Sequence, residues 1–111
     1  MEGDCLFCRI VANQLPSERV AENELALAIN DIHPKAPVHL LILPKLHYHS
    51  PDDLPAETAK AILALARTAA KNLGVEQSGY RLVINVGADS GQEIEHLHLH
   101  VLGGRAALAM F

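Results

Sequence analysis

Three histidines alternate with apolar residues near the end of the chain, in the run HLHLHVL at residues 96–102. Successive side chains of a β-strand point to opposite faces, so this alternation predicts a strand over 96–103 with Leu97 and Leu99 in the core. His96, His98 and His100 would then form a row on the other face. A polar strand face that happens to carry histidine is the simpler interpretation, but three groups that titrate near neutrality in one row indicate a chemical site.

The loop before this strand, GADSGQEIE at residues 87–95, is rich in glycine and in hydrogen-bond donors. Standing alone, such a loop is an ordinary turn. Beside a row of imidazoles, its N–H groups and neutral side chains suit a bound anion. The two features together favour phosphoryl or nucleotidyl transfer, in which a neutral nitrogen attacks phosphorus and donors stabilise the oxygens.

The longest predicted element is a helix within residues 50–75. Asp52, Asp53 and Pro55 are typical of its start, and Lys71 and Gly74 of its end. Helical spacing of apolar residues predicts that one face packs against a sheet. That face comprises Ala59, Ile62, Leu63, Ala66 and either Ala69 or Ala70.

The other elements are short. Apolar spacing predicts a first helix after Cys5 that closes before Pro16, and two apolar runs around a polar turn predict a β-hairpin. Hairpins without regular strand–helix alternation indicate one α+β domain, spanning 1–111, with a mainly antiparallel sheet. Its five predicted strands lie within 19–23, 25–31, 38–45, 79–87 and 96–103.

Charge and hydropathy limit the classes of molecule that the chain is expected to bind. The net charge is -4 and the basic residues are scattered, which disfavours a nucleic-acid polymer but not a single nucleotide. No window approaches the roughly 20 apolar residues that a membrane span needs, and the segment MEGDCLFCRI lacks the positive start of a secretory signal. We therefore expect a cytoplasmic protein that does not bind membranes.

The run 96–102 matches the His-φ-His-φ-His-φ-φ signature (φ apolar) of the histidine triad, or HIT, superfamily, and HLHLHVLGGR resembles its Hint branch. The similarity extends through 5–20, 25–47 and 79–95 and fades after Arg105. It implies the HIT fold, a homodimer, and hydrolysis of purine nucleoside phosphoramidates such as adenosine 5'-monophosphoramidate.

The resemblance also implies roles for individual residues. His98 takes the position of the nucleophile that forms a nucleotidyl-histidine, and His100 that of a histidine contacting the phosphate. Glu93 stands where many Hint proteins have a serine near the leaving group, so the proton donor stays open, as does the effect of the short tail. The remaining binding positions are Asn85, Gly91 and Gln92 for phosphate, Asp31 for the ribose hydroxyls, and Phe7, Ile10, Ile29 and Ile32 for the base.

Cys5 and Cys8 form a C-x-x-C pair, which is typical of a zinc half-site, a redox pair or two plain thiols. Zinc needs four tetrahedral ligands, and His47, His49 and His96 are available to complete a Cys2His2 set. The resemblance selects His47 and His96. The zinc would then be structural, and no cofactor would be required for the chemistry.

Three other hypotheses stay open on the sequence. One is a dinucleoside polyphosphate hydrolase that resembles Fhit and uses the same nucleophile with a different leaving group. Another is a nucleotide-binding module with vestigial turnover. The last is a scaffold organised by zinc, which predicts that metal removal unfolds the chain.

Overall fold

The structure, a computed structural model, describes residues 5–92 and 94–104. Glu93 and the tail from Arg105, about which the sequence makes predictions, lie outside the described residues. The described part has the expected α+β architecture, with one short and one long helix and a sheet of five strands. In chain order the elements are α1 (Leu6–Val11), β1 (Arg19–Glu22), β2 (Ala26–Asn30), β3 (Val38–Pro44), α2 (Ala56–Asn72), β4 (Tyr80–Ile84) and β5 (Leu99–Gly103).

The sheet has the order β1-β2-β3-β5-β4, and every neighbouring pair is antiparallel. The predicted hairpin is β1–β2. Its turn is fixed by the side-chain oxygen of Asn23, which accepts hydrogen bonds from the N–H groups of Leu25 at 3.0 Å and Ala26 at 2.8 Å. The apolar run of β3 lies between β2 and β5, where both strand edges are paired.

Helix α2 covers one face of the sheet. Ile62, Ala66 and Ala69 are buried there, as predicted, with Leu40 and Val101 from the strands. Leu63 was wrongly predicted to lie on this face, since its side chain is 50% exposed, whereas Leu65 is only 4% exposed. The buried stripe is centred on Ile62, Ala66 and Ala69, and a residue directly after Ile62 is turned about 100° away from it.

The long helix also begins later than its start signals indicate. Asp52 and Asp53 belong to a separate 3-10 turn over Pro51–Asp53, and α2 begins after Pro55. The fixed backbone of Pro55 separates the two elements, because residue 54 before a proline is pushed into an extended conformation. Gly74, at φ 77, ends the helix as predicted.

Strand β5 begins at Leu99, so the prediction of a strand from residue 96 was wrong. In the register of β3 with β5, Leu99 pairs with Ile42, and continuing this register by two residues would place Leu97 opposite Pro44. Pro44 has no N–H to donate, and its carbonyl accepts a hydrogen bond from the ring of His96 at 3.0 Å. The ladder therefore stops, although the leucines still enter the core on the α2 face as expected.

Helix α1 covers the other face of the sheet, where Phe7 and Ile10 pack with Leu27, Ile29 and residues of β3. It ends at Val11, well before Pro16, because Asn13 has left-handed backbone at φ 62. Arg19 donates to the carbonyl of Ile10 at 2.7 Å and so caps this end. Among the described residues, no helix has the length and apolar character needed to span a membrane.

Candidate active site

A cavity of about 690 Å³ opens on the α1 face of the sheet. Helix α1, the segment after β2, the loop after β4 and the triad segment supply its walls. Its volume is in the range of small-molecule sites. The cavity brings together every predicted catalytic and substrate-binding residue that the structure describes: Phe7, Ile10, Ile29, Asp31, Ile32, Asn85, Gly91, Gln92, His98 and His100.

His98 is buried at the floor of this cavity, with 8% of its surface exposed. Its Nδ1 lies 2.8 Å from the carbonyl oxygen of His96, an atom that can only accept. Nδ1 must therefore carry the proton, which leaves a lone pair on Nε2 of the neutral ring. Phe7 holds the ring edge-on at 5.0 Å between centroids. This arrangement fixes both the tautomer and the orientation of the His98 ring at the cavity.

His100 lies next to His98, with ring centroids 5.1 Å apart, and its Nδ1 is 3.0 Å from Nε2 of His39 in β3. His39 is only 2% exposed. Its Nδ1 accepts a hydrogen bond from the N–H of Lys35 at 3.0 Å. Its link to the triad was not predicted.

Burial, together with the nearby His98 and His39, lowers the pKa of His100 to about 4 against the opposing effect of Asp31. Burial likewise lowers the pKa of His39. Both rings are therefore neutral near pH 7. These two side chains therefore contribute neutral donors and acceptors to the site and no fixed positive charge.

The loop after β4 is held by its own hydrogen bonds. The side-chain oxygen of Gln92 accepts from the N–H of Gly87 at 2.8 Å, and its amide donates to the carbonyl of Ile94 at 3.1 Å. Ser90 donates to the carbonyl of Gly87 at 2.7 Å. Gly91 has φ 82, a conformation that favours glycine, and open space around its Cβ position. Gln92 therefore stabilises the conformation of this loop through hydrogen bonds that do not involve a ligand.

Asp31 lies at the opposite side of the cavity. One carboxylate oxygen accepts from the N–H of His33 at 2.8 Å, as a turn aspartate does, and the other is 3.3 Å from Nε2 of His39. Asp31 therefore closes a turn and also lines the cavity. The carboxylate is held in place and has unused acceptor capacity for hydroxyl groups.

The apolar wall is formed by Phe7, Ile10 and Ile29, which are at most 7% exposed. Ile32 also lines the cavity but is 83% exposed, so it forms the rim and is not a core residue. Its exposure is consistent with a side chain that is covered only when a ligand is bound.

Cys5, Cys8, His47 and His96 lie together beside the cavity, with one ligand atom of each within 4.8 Å of the others. Nδ1 of His96 is 3.3 Å from Sγ of Cys5 and 3.5 Å from Sγ of Cys8, and Nδ1 of His47 is 3.3 Å from Sγ of Cys8. This is the predicted set of four. His49 is outside it, with a side chain that is 62% exposed.

The tautomer of His96 is the one that a metal ligand needs. Its Nε2 donates to the carbonyl of Pro44, so the neutral ring turns an unprotonated Nδ1 toward the two sulfurs. Burial lowers the pKa of His96 to about 4, which keeps that nitrogen free for a metal. Two thiols and two imidazoles in a closed group are the donor set of structural zinc.

Several cavity residues were missed by the sequence analysis. The segment after α1 contributes Leu15, Pro16 and Ser17, and the turn before β3 contributes Lys35. No spacing rule connects these positions to the triad. For His39 the sequence does contain a weak indication of a role, because a histidine within a buried apolar strand requires a polar partner.

A model of the HIT domain family matches residues 12–107. The chain belongs to the HIT family. The purine nucleoside phosphoramidase of Escherichia coli strain K12 is similar to this HIT protein, with 36% identity over 108 residues, which cover 95% of this chain and 91% of that one.

Solved structures of the family have the same fold. A HIT family hydrolase from Legionella pneumophila has a TM-score of 0.88 and 45% identity, covering 92% of this chain and 94% of that one. A zinc-bound histidine triad family protein from Mycobacterium smegmatis has a TM-score of 0.83 and 33% identity, covering 100% and 82%. The comparisons thus place this HIT protein beside hydrolases of the family.

Proposed function

We propose that this HIT protein hydrolyses purine nucleoside 5'-phosphoramidates of the adenosine 5'-monophosphoramidate type. Nε2 of His98 attacks the α-phosphorus, a new phosphorus–nitrogen bond forms, and the bond to the amine breaks. The departing nitrogen takes a proton from solvent water and leaves as the neutral amine. Water then attacks the nucleotidyl-histidine, releasing the nucleoside monophosphate and returning the neutral imidazole.

The tautomer of His98 is the observation that carries this proposal. The carbonyl of His96, 2.8 Å from Nδ1, keeps the proton on that atom and the lone pair on Nε2. The same hydrogen bond stabilises the ring when Nε2 is bonded to phosphorus and the imidazole gains positive charge. A histidine used only for packing would not need a single unprotonated nitrogen on a ligand-sized cavity.

The remaining walls suit the two halves of a nucleotide. His100 and the loop over 87–92 bring donors to the phosphate side, where charge develops on the oxygens. Asp31 offers a carboxylate to the ribose diol, and Phe7, Ile10 and Ile29 offer an apolar slot to a purine. The relative from Escherichia coli, a purine nucleoside phosphoramidase, supports this substrate class.

We also propose that Cys5, Cys8, His47 and His96 hold a structural zinc ion. Zinc would tie α1 to the triad segment and so fix the wall that carries Phe7, whose ring packs edge-on against His96 and His98. A closed set of four protein ligands leaves no position for substrate. The zinc-bound relative from Mycobacterium smegmatis supports this site.

Strand β4 supports a homodimer, which we propose in addition. It is the outer strand next to β5, and Leu82 and Ile84 on its α2 face are each 40% exposed, because α2 packs over the other four strands. Val86, just after it, is 46% exposed. An edge strand with exposed apolar residues pairs readily with a second copy.

The Leu82→Lys variant should then sediment as a monomer in analytical ultracentrifugation, whereas an unchanged mass would contradict this interface.

The function is tested by turnover of adenosine 5'-monophosphoramidate and of diadenosine polyphosphate in parallel. We expect the phosphoramidate to be the better substrate and His98→Ala to lower kcat by more than about a thousandfold, while AMP binding is retained. His49→Ala, which changes an exposed histidine outside the cavity, is the matched control.

Mass spectrometry of protein quenched during turnover should find the nucleotidyl group on His98. An adduct on another side chain would contradict the mechanism. A preference for the dinucleotide would favour the polyphosphate hydrolase instead. AMP binding without turnover of either compound would favour a binding module.

We further expect a cytoplasmic location, which fractionation of cells would test.

A further inference from the structure

A line of hydrogen-bonding groups runs under the cavity from a backbone amide to the triad. The N–H of Lys35 donates to Nδ1 of His39 at 3.0 Å. Nε2 of His39 lies 3.0 Å from Nδ1 of His100 and 3.3 Å from a carboxylate oxygen of Asp31. His39 therefore contacts one group on the ribose side of the cavity and one on the phosphate side.

The backbone amide decides where the protons lie. An N–H group can only donate, so Nδ1 of His39 must accept and the proton of the neutral ring is on Nε2. Nε2–H points at Nδ1 of His100, which must then accept in its turn. The proton of neutral His100 is thus placed on its Nε2, which makes that nitrogen a hydrogen-bond donor. The lowered pKa of both rings agrees with this neutral state.

We propose that His39 is a positioning residue that holds His100 as a donor to the phosphoryl group and couples this donor to Asp31. This inference rests on the proposed function and deepens it. Nε2 of His39 lies 3.0 Å from Nδ1 of His100, to which it is hydrogen-bonded, and 3.3 Å from a carboxylate oxygen of Asp31. A ribose hydroxyl that donates to the Asp31 carboxylate weakens the attraction of that carboxylate for the Nε2–H of His39 and leaves this hydrogen to His100. Binding of the sugar would thereby strengthen the hydrogen bond from His39 to His100, which fixes the tautomer of His100 at the phosphate.

A metal ion held by Asp31, His39 and His100 is the competing interpretation, because one ligand atom of each lies within 4.8 Å of the others. Coordination through Nε2 of His39 would move its proton to Nδ1. That proton would face the N–H of Lys35 across 3.0 Å, with two donors in contact. The backbone amide therefore favours a hydrogen-bonded group here over a metal site.

Two substitutions of His39 separate its two hydrogen bonds. Asparagine places its side-chain oxygen near the position of Nδ1, so His39→Asn keeps an acceptor for Lys35 and loses the donor to His100. Glutamine places its amide nitrogen near the position of Nε2, so His39→Gln keeps the donor and loses the acceptor. Comparing the two variants distinguishes support of the Lys35 turn from control of His100.

We expect His39→Asn to lower kcat roughly tenfold or more, as loss of one hydrogen bond to a reacting group does, with KM nearly unchanged. His39→Gln should stay within about threefold of the wild type. A 2',3'-dideoxy substrate should lower kcat as well as raise KM in the wild type, but in His39→Asn it should affect KM alone. Equal losses of kcat in the two variants, or an equal effect of the dideoxy substrate on kcat in both backgrounds, would overturn the proposal.

Nitrogen-15 NMR of the imidazoles gives a readout that does not depend on turnover or on the variants folding. In the wild type, His100 should be the Nε2–H tautomer and His39 should also carry its proton on Nε2. A proton on Nδ1 of His100 would overturn the proposal even if the protein is an active phosphoramidase. Conversely, the expected tautomers in a protein that does not cleave phosphoramidates would leave the positioning role of His39 supported and reject only the substrate.

Discussion

The zinc site can be tested with two neighbouring histidines. His47 is one of the four clustered residues, whereas His49, two residues later, is exposed and outside the cluster. His47→Ala removes one ligand and His49→Ala removes none, although each deletes an imidazole from the same loop. We expect only His47→Ala to lose stoichiometric zinc.

The expected stabilisation follows from how well the ligands are placed. Zn–S bonds of about 2.3 Å and Zn–N bonds of about 2.05 Å at tetrahedral angles require sulfur and nitrogen to be about 3.6 Å apart. The structure has separations of 3.3, 3.3 and 3.5 Å, so binding needs shifts of only a few tenths of an ångström. Free zinc at a thousand times its Kd then adds about 4 kcal/mol to the free energy of unfolding. At roughly 4 °C per kcal/mol this raises Tm by about 15 °C.

Metal content by mass spectrometry and Tm by calorimetry, each with and without a chelator, measure these effects. The wild type and His49→Ala should each hold one zinc per chain and lose about 15 °C in Tm on chelation. His47→Ala should have the low Tm of the zinc-free protein both with and without the chelator. The reasoning is refuted if His47→Ala retains full zinc, or if chelation leaves the Tm of the wild type unchanged.

The remaining predictions concern the wall of the cavity, the triad and its loop. Phe7→Ala should lower the free energy of unfolding by about 3 kcal/mol, the low end for a buried ring because the space left opens to solvent, and should lower kcat by loosening His98; urea titration showing less than 1 kcal/mol would contradict this. His100 has its pKa lowered from 6.5 to about 4, so between these pH values the unfolded state binds a proton that the native state does not, and stability falls as pH falls, by up to about 3 kcal/mol. His100→Gln should remove that part of the slope, and an unchanged slope in urea titrations from pH 6.5 to 4 would refute it. Gly91→Ala forces a side chain into left-handed backbone and should cost about 1 to 2 kcal/mol, with a raised KM in the phosphoramidate assay; a neutral effect on both would show that the loop does not need this conformation.

The sequence predicted most of the framework because short-range patterns are sufficient for it. Alternation around His98 placed Leu97 and Leu99 in the core, and the spacing of Cys5 and Cys8 indicated a metal half-site. The hairpin turn and the end of α2 also follow from local chemistry. Each of these depends on residues within a few positions of one another, whose side-chain directions are fixed by the backbone.

Long-range register decided the rest. Strand β5 starts at Leu99 because of Pro44, on another strand, and Leu63 is exposed while Leu65 is buried because of how α2 lies on the sheet. The same holds for the protons, since the tautomers of His98 and His100 are set by a carbonyl and by His39. A sequence can thus specify that imidazoles gather in one place. Only the folded chain decides which nitrogen of each ring carries hydrogen, because that depends on partners that tertiary packing brings within 3 Å.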